Sequence, residues 1–219
     1  MQNAEGQTIM SNSNSDGMLE KLAAYEAQGI STKPLYDEWS RSYEADLLGK
    51  FGYSGHIIAA NAFMPLVSDK AAAVIDIGCG TGLVGRELKK AGYSNIDGLD
   101  ISAAMLAGAK AKNIYGRLIE GDMQQQTPVE DAAYDAVICA GSFAPGHLGP
   151  ECYPEFIRMV RPGGPIVIFM NGTHYVEDGY EAHIHKLERE GKWAVIGIKP
   201  FNYMSALERP GQLIMARKC

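Results

Sequence analysis

The sequence predicts a doubly wound α/β fold: a parallel sheet with helices on both faces, closed by an antiparallel hairpin and preceded by a helical cap. Three observations carry this expectation. From Ala71 onward, apolar runs alternate with helical patterns, with strands expected at 73–78, 95–100, 115–120, 134–140 and 165–170 and helices at 82–91, 102–112 and 151–160. Such alternation builds right-handed βαβ units. The first strand ends in Asp76-Ile77-Gly78-Cys79-Gly80-Thr81-Gly82 and passes straight into a helix. The tail then changes rhythm, with a helix over 181–190 and apolar strands at 193–198 and 212–217 separated by a loop.

The elements before Ala71 read as helices. Met18 to Gln28 is amphipathic and is stopped by Gly29. Pro34 is suited to the first turn of a second helix, because its missing N–H would have no partner there. In that helix Tyr36, Trp39 and Tyr43 fall at i, i+3 and i+7, an aromatic stripe that spacing alone assigns to the core. Ser54 is placed to cap a third helix running through Ile57, Ile58, Ala62, Phe63 and Leu66. Residues 1–17 are polar, alternate Ser and Asn from Ser11 to Ser15, and are expected to be disordered. The organisation expected is therefore a tail (1–17), a helical cap (18–70) and an α/β core (71–219). Within the core, Ser102 caps a helix two residues after Asp100. Arg161-Pro162-Gly163-Gly164 is turn chemistry that ends the third helix and needs no catalytic role.

A chain of 219 residues with 46% hydrophobic side chains can bury a full core. Its net charge is −6, with Lys and Arg scattered, so the basic footprint of a nucleic-acid binder is missing. No apolar run approaches the roughly 20 residues of a membrane span. The N-terminus lacks the basic and apolar regions of a secretory signal. Cys79, Cys139, Cys152 and Cys219 make no C-x-x-C pair, so reduced thiols in a cytoplasmic protein, with no metal site, are expected.

The glycine run satisfies two patterns. Gly80-x-Gly82-x-x-Gly85 fits the dinucleotide fingerprint, whereas Asp76-x-Gly78-x-Gly80-x-Gly82 fits the loop of S-adenosylmethionine (SAM) binders. The first reading leaves Asp76 inside a strand covered on both faces, where apolar residues belong. Asp100 suits a ribose-binding acid under either reading. The second reading gives each acid a partner on one ligand. Asp76 organises the loop through a water and favours the cationic amino group. Asp100 takes the ribose hydroxyls, and Gly121-Asp122 places an acid at the adenine amine, with Ile101 and Met123 sandwiching the ring. Three acids at three successive strand ends favour SAM. Singly, each is also explained as a turn or helix cap.

Asp76 to Gly82, Asp100, Gly121-Asp122 and Arg161-Pro162-Gly163-Gly164 together resemble the class I SAM-dependent methyltransferases. Tyr36-Asp37-Glu38-Trp39 through Tyr43, with Leu187-Glu188-Arg189-Glu190-Gly191-Lys192-Trp193, resemble more narrowly the Williams–Beuren syndrome region methyltransferase-like proteins. The resemblance implies a Rossmann-like, seven-stranded sheet and SAM as methyl donor, with Cys79, Thr81 and Gly82 in its loop. It also implies that the second helix folds over the cofactor, turning Tyr36 and Tyr43, and less so Trp39, toward the sulfonium.

On the acceptor side, Ala140 is small enough for close approach to the methionine part, and His147 in the following loop is the leading general base. A loop histidine without function is the plainer reading of His147, and His174 is the second candidate. His183 and His185 diverge on a helix and make poor metal partners. The expected activity is methyl transfer to a small molecule, with a protein acceptor as the variant. The alternatives are a SAM-binding protein without transfer and an NAD(P)-dependent oxidoreductase.

Overall fold

A computed structural model describes residues 13–28, 30–143, 147–173, 175, 178–206 and 209–219. The cap comprises α1 (Ser13–Gln28), α2 (Lys33–Trp39), a π-helical turn (Ala45–Lys50) and α3 (Gly55–Phe63). The core runs β1 (Val74–Ile77), α4 (Leu83–Lys90), β2 (Ile96–Asp100), α5 (Ala103–Lys110), β3 (Leu118–Glu120), β4 (Ala136–Ala140), α6 (Tyr153–Met159) and β5 (Pro165–Asn171). It ends with α7 (Tyr180–Arg189), β6 (Trp193–Met204) and β7 (Arg209–Lys218). Among the described residues no helix is long and apolar enough to cross a membrane.

The seven strands lie in the order β3-β2-β1-β4-β5-β7-β6, and only β7 runs against the others. The order reverses between β1 and β4, where their separating crossovers leave a crevice at the carboxyl ends of the strands. Successive strand residues feed opposite faces. Val74, Ile138, Val167 and Phe169 pack under α3, α4 and the cap, whereas Ile75, Ile77, Val137, Cys139 and Ile168 pack against α6 and α7. Both faces are sealed, which is why β4 and β5 read as apolar runs, while β1 carries one buried acid, Asp76.

The structure departs from the sequence reading at several ends. Helix α1 starts at Ser13, so residues 13–17 are helical and not a disordered tail; residues 1–12 lie outside the described residues. Ser54 occupies the cap position of α3 but makes no cap bond; its hydroxyl donates to the Tyr203 carbonyl at 3.2 Å. That helix stops at Phe63 short of Leu66, because Pro65 brings no N–H to continue it. Ser102 does cap α5, accepting the Met105 amide at 3.1 Å.

Strands β6 and β7 extend well beyond 193–198 and 212–217. Pro200 and Pro210 read as loop residues, yet Pro200 lies on the edge strand and Pro210 lies beyond the last β5–β7 pair, Asn171↔Gly211. Neither position needs a second ladder donor. A bulge between Asn202 and Met204 then turns the end of the hairpin toward the cap, where Tyr53 bridges to Met204.

Candidate active site

The glycine run leaves β1 as a tight cradle. Gly78, Gly80 and Gly82 all have positive φ, and a side chain at Gly78 would collide with the Ser142 hydroxyl. At Gly80 a Cβ would meet nothing within 4 Å, so the backbone there is bare toward the crevice. Asp100 at the end of β2 holds this loop: its Oδ2 accepts the Gly80 amide at 2.8 Å and its Oδ1 the Ser102 amide at 2.9 Å. Burial nonetheless raises the Asp100 pKa above the ordinary carboxylate value, against the lowering effect of those amides. Each oxygen retains a lone pair for a ligand hydroxyl.

Above the strand ends lies a cavity of about 330 Å³, within the range of small-molecule sites. Gly78, Gly80, Asp100, Ile101, Gly121, Asp122, Met123, Ala140, Tyr36, Tyr43 and His147 all line it, so eleven sequence-predicted site residues converge. Asp122 serves its turn as well, accepting the Gln124 amide at 2.9 Å. Tyr36 and His147 meet directly, with the Tyr36 hydroxyl 3.0 Å from His147 Nε2 and the rings edge-to-face at 5.4 Å. His174 lies outside the described residues.

Five expected residues do not line the cavity. Trp39 is 1% exposed and belongs to the core, its Nε1 donating to Asp46 at 2.7 Å, so the aromatic stripe is divided between core and site. Cys79 is buried against Gly98 on the far side of the loop. Thr81 turns away and donates to Glu44 at 2.5 Å, and Gly82 faces the Tyr115 ring. Asp76 lies beneath the loop, fully buried, where its Oδ2 accepts the Tyr115 hydroxyl at 2.6 Å. Among the described residues its Oδ1 accepts no hydrogen bond of ordinary geometry, and burial lifts its pKa to about 7 despite the Tyr115 hydroxyl and the Gly85 amide.

The sequence reading missed the residues that fasten the cap to this floor. Ser102 donates to Asp37 of α2 at 2.5 Å while capping α5. Glu44 collects Thr81 and Lys112, and Lys112 also donates to the Thr81 carbonyl at 2.6 Å. Burial pushes the Glu44 carboxyl up, but its bonds to Lys112 and Thr81 outweigh this and hold it below the usual range. Tyr115 was also unforeseen; a side chain at Gly85 would strike its ring at 2.5 Å. These are pairings across 30 to 68 residues, and local spacing carries no trace of them.

Residues 74–164 match the methyltransferase domain family. The chain is 28% identical over 164 residues to human methyltransferase-like protein 27, covering 72% of this chain and 66% of that protein. It is 46% identical over 70 residues to the bovine 18S rRNA (guanine-N(7))-methyltransferase, covering 32% of this chain and 25% of that one. The chain therefore spans less than two thirds of these curated relatives. Among solved structures, it superposes with a TM-score of 0.57 and 20% identity on the magnesium protoporphyrin IX methyltransferase of Synechocystis, determined with bound SAM, over 75% of this chain and 80% of that one. The glycine loop, the strand-end acids and these similarities agree: residues 74–164 carry the match to the methyltransferase domain family, and the sheet around them has the fold of solved SAM-dependent methyltransferases.

Proposed function

We propose that the protein transfers the methyl group of SAM to a small-molecule acceptor. The observation that carries this reading is the convergence of Asp100, Asp122 and the glycine cradle on one cavity, closed over by Tyr36, Tyr43 and His147. The fit is chemical as well as spatial. The cavity presents carboxylates to hydroxyl and amine donors, and its roof presents aromatic faces where a cation is attracted by ~0.5–2 kcal/mol. The Oδ1 of Asp76 gives the loop a buried acceptor beneath it.

When bound, SAM supplies a methyl carbon already activated by its sulfonium. The protein's own share is to hold, exclude water and manage a proton. Asp100 and Asp122 fix the nucleoside end, and Gly78 and Gly80 allow backbone contact. Ala140 and Gly141 let an acceptor approach closely, and orientation of this kind can contribute about 7–11 kcal/mol to a two-body step. As an O–H, N–H or S–H acceptor loses its proton to the Tyr36 oxygen, the Tyr36 hydroxyl passes its own proton to His147 Nε2, 3.0 Å away, so that His147 is the terminal base. An acidic chain with scattered basic residues favours a small molecule over nucleic acid.

Calorimetry with SAM, followed by an assay for S-adenosylhomocysteine across a metabolite collection, tests the proposal. Saturable SAM binding with product formed from at least one metabolite is expected. Binding of nicotinamide dinucleotides in place of SAM would return the glycine run to its other pattern. SAM binding with no product from any metabolite would favour a sensor or a protein acceptor over a small molecule.

A further inference from the structure

A second cavity of about 60 Å³ adjoins the first and shares Tyr36, Tyr43, Gly141 and His147 with it. These shared residues form the partition between the two spaces. Beyond it the walls come from the cap, from Asn171 at the end of β5 and from the bulged tip of the β6–β7 hairpin. Tyr53, Phe143 and Tyr203 make it largely aromatic; Tyr203 lies edge-on to Tyr53 at 5.7 Å and to Phe169 at 5.3 Å.

Its charge is the opposite of the first cavity's. Among the described residues no acid lines it, while Arg209 does. Arg209 is half-buried and stands opposite the bulge, paired with Met204, and bulges re-aim side chains in this way. Among the described residues its guanidinium has neither hydrogen bond nor ion pair. Asn171 spends its Oδ1 on the Thr173 amide at 3.1 Å, leaving its NH₂ as a donor. A cation held partly out of water without a counter-charge is costly, and a planar fork of donors matches a carboxylate or phosphate.

We propose that Arg209, aided by Asn171, binds an anionic group of the methyl acceptor, so that the acceptor is a small carboxylate or phosphate monoester entering from the second cavity. This rests on the donor assignment above, with the methyl presented at the Tyr36–His147 partition. Arg209 is then a specificity-determining residue, and the small volume selects a compact acceptor. The hairpin, through its bulge, supplies the selecting charge, while the acids at the strand ends supply the donor site.

The test is an S-adenosylhomocysteine-forming assay on matched pairs: hydroxyl-, amine- or thiol-bearing carboxylates and phosphate monoesters, each beside its neutral amide or ester. Wild type, Arg209→Gln and Arg209→Lys are compared, with SAM affinity measured for each by calorimetry. Methylated compounds should come from the anionic halves. Their KM should rise at least tenfold in Arg209→Gln and recover in part in Arg209→Lys, with SAM affinity unchanged. Carboxylates responding alone, or phosphates alone, would identify which anion is read. Equal turnover of neutral partners, an unchanged KM in Arg209→Gln, or no anionic substrate for a protein that binds SAM would each overturn the inference. Failure of the wild type to bind SAM would instead remove the donor assignment beneath it.

Discussion

The two cavities differ in how they are built, and the difference explains what each can do. The first sits on regular structure: its acids and glycines occupy the ends of β1, β2 and β3, where the backbone fixes their positions. The second is assembled from cap helices, a loop and a bulged hairpin end, with Tyr36 and His147 forming the wall between them. Rigid strand ends suit a ligand that never changes. Walls drawn from irregular segments suit a ligand that differs from one protein to the next, because loops vary without disturbing the sheet.

The largest effect should come from the wall itself. His147→Ala is expected to lower turnover by about 10²–10⁴ while leaving SAM affinity nearly unchanged; full turnover would remove the histidine from the chemistry. On the floor of the first cavity, Asp100→Ala deprives the Gly80 amide of its acceptor as well as the ligand of its own. Hydrogen bonds to charged groups contribute about 1.5–3 kcal/mol, so calorimetry should show SAM binding weakened by roughly ten- to hundredfold. Tyr36→Ala should weaken SAM by about two- to thirtyfold, the range a cation–π contact covers. Trp39→Phe sharpens the contrast within the same helix: SAM affinity should hold, while melting shows the loss of the Asp46 hydrogen bond, about 0.5–1.5 kcal/mol.

Asp76 adds a pH dependence. Its folded-state pKa of about 7 lies above the ordinary carboxylate value. Between pH 4 and 7 the unliganded fold thus binds more protons than the unfolded chain, and this group's contribution to stability falls as pH rises, levelling off above 7. A cationic ligand favours the carboxylate, so SAM affinity should rise with pH up to about 7 and then flatten. In Asp76→Asn both slopes should become shallower, as seen by chemical denaturation and calorimetry across that range, with the remainder due to Asp100, whose pKa burial also raises. Slopes of undiminished size would assign them to another group.

Much of the first cavity was legible because it obeys local rules. Strand ends, glycines that need positive φ, and acids just beyond the strands are set by spacing, so Asp100, Asp122, Gly78 and Gly80 could be placed from the chain alone. Spacing could not divide Tyr36 from Trp39, since both lie on one helical face and only the tertiary partner, Asp46 or His147, separates them. Nor could it reveal Tyr115 beneath Asp76 or Glu44 over Thr81. Asp76 reads in sequence both as organiser of the loop and as partner of a cationic amino group; spacing could not show that it is sealed under the loop, outside the cavity lining. The second cavity was almost invisible, because Pro200 and Pro210 concealed the length of the hairpin and with it the position of Arg209.

The most direct test of the account is a crystal structure with S-adenosylhomocysteine. It should show the ribose on Asp100, the adenine near Asp122 and Met123, and the sulfur facing the Tyr36–His147 wall with the second cavity open behind it. A nucleoside bound away from Asp100, or a sulfur turned from that wall, would contradict the account.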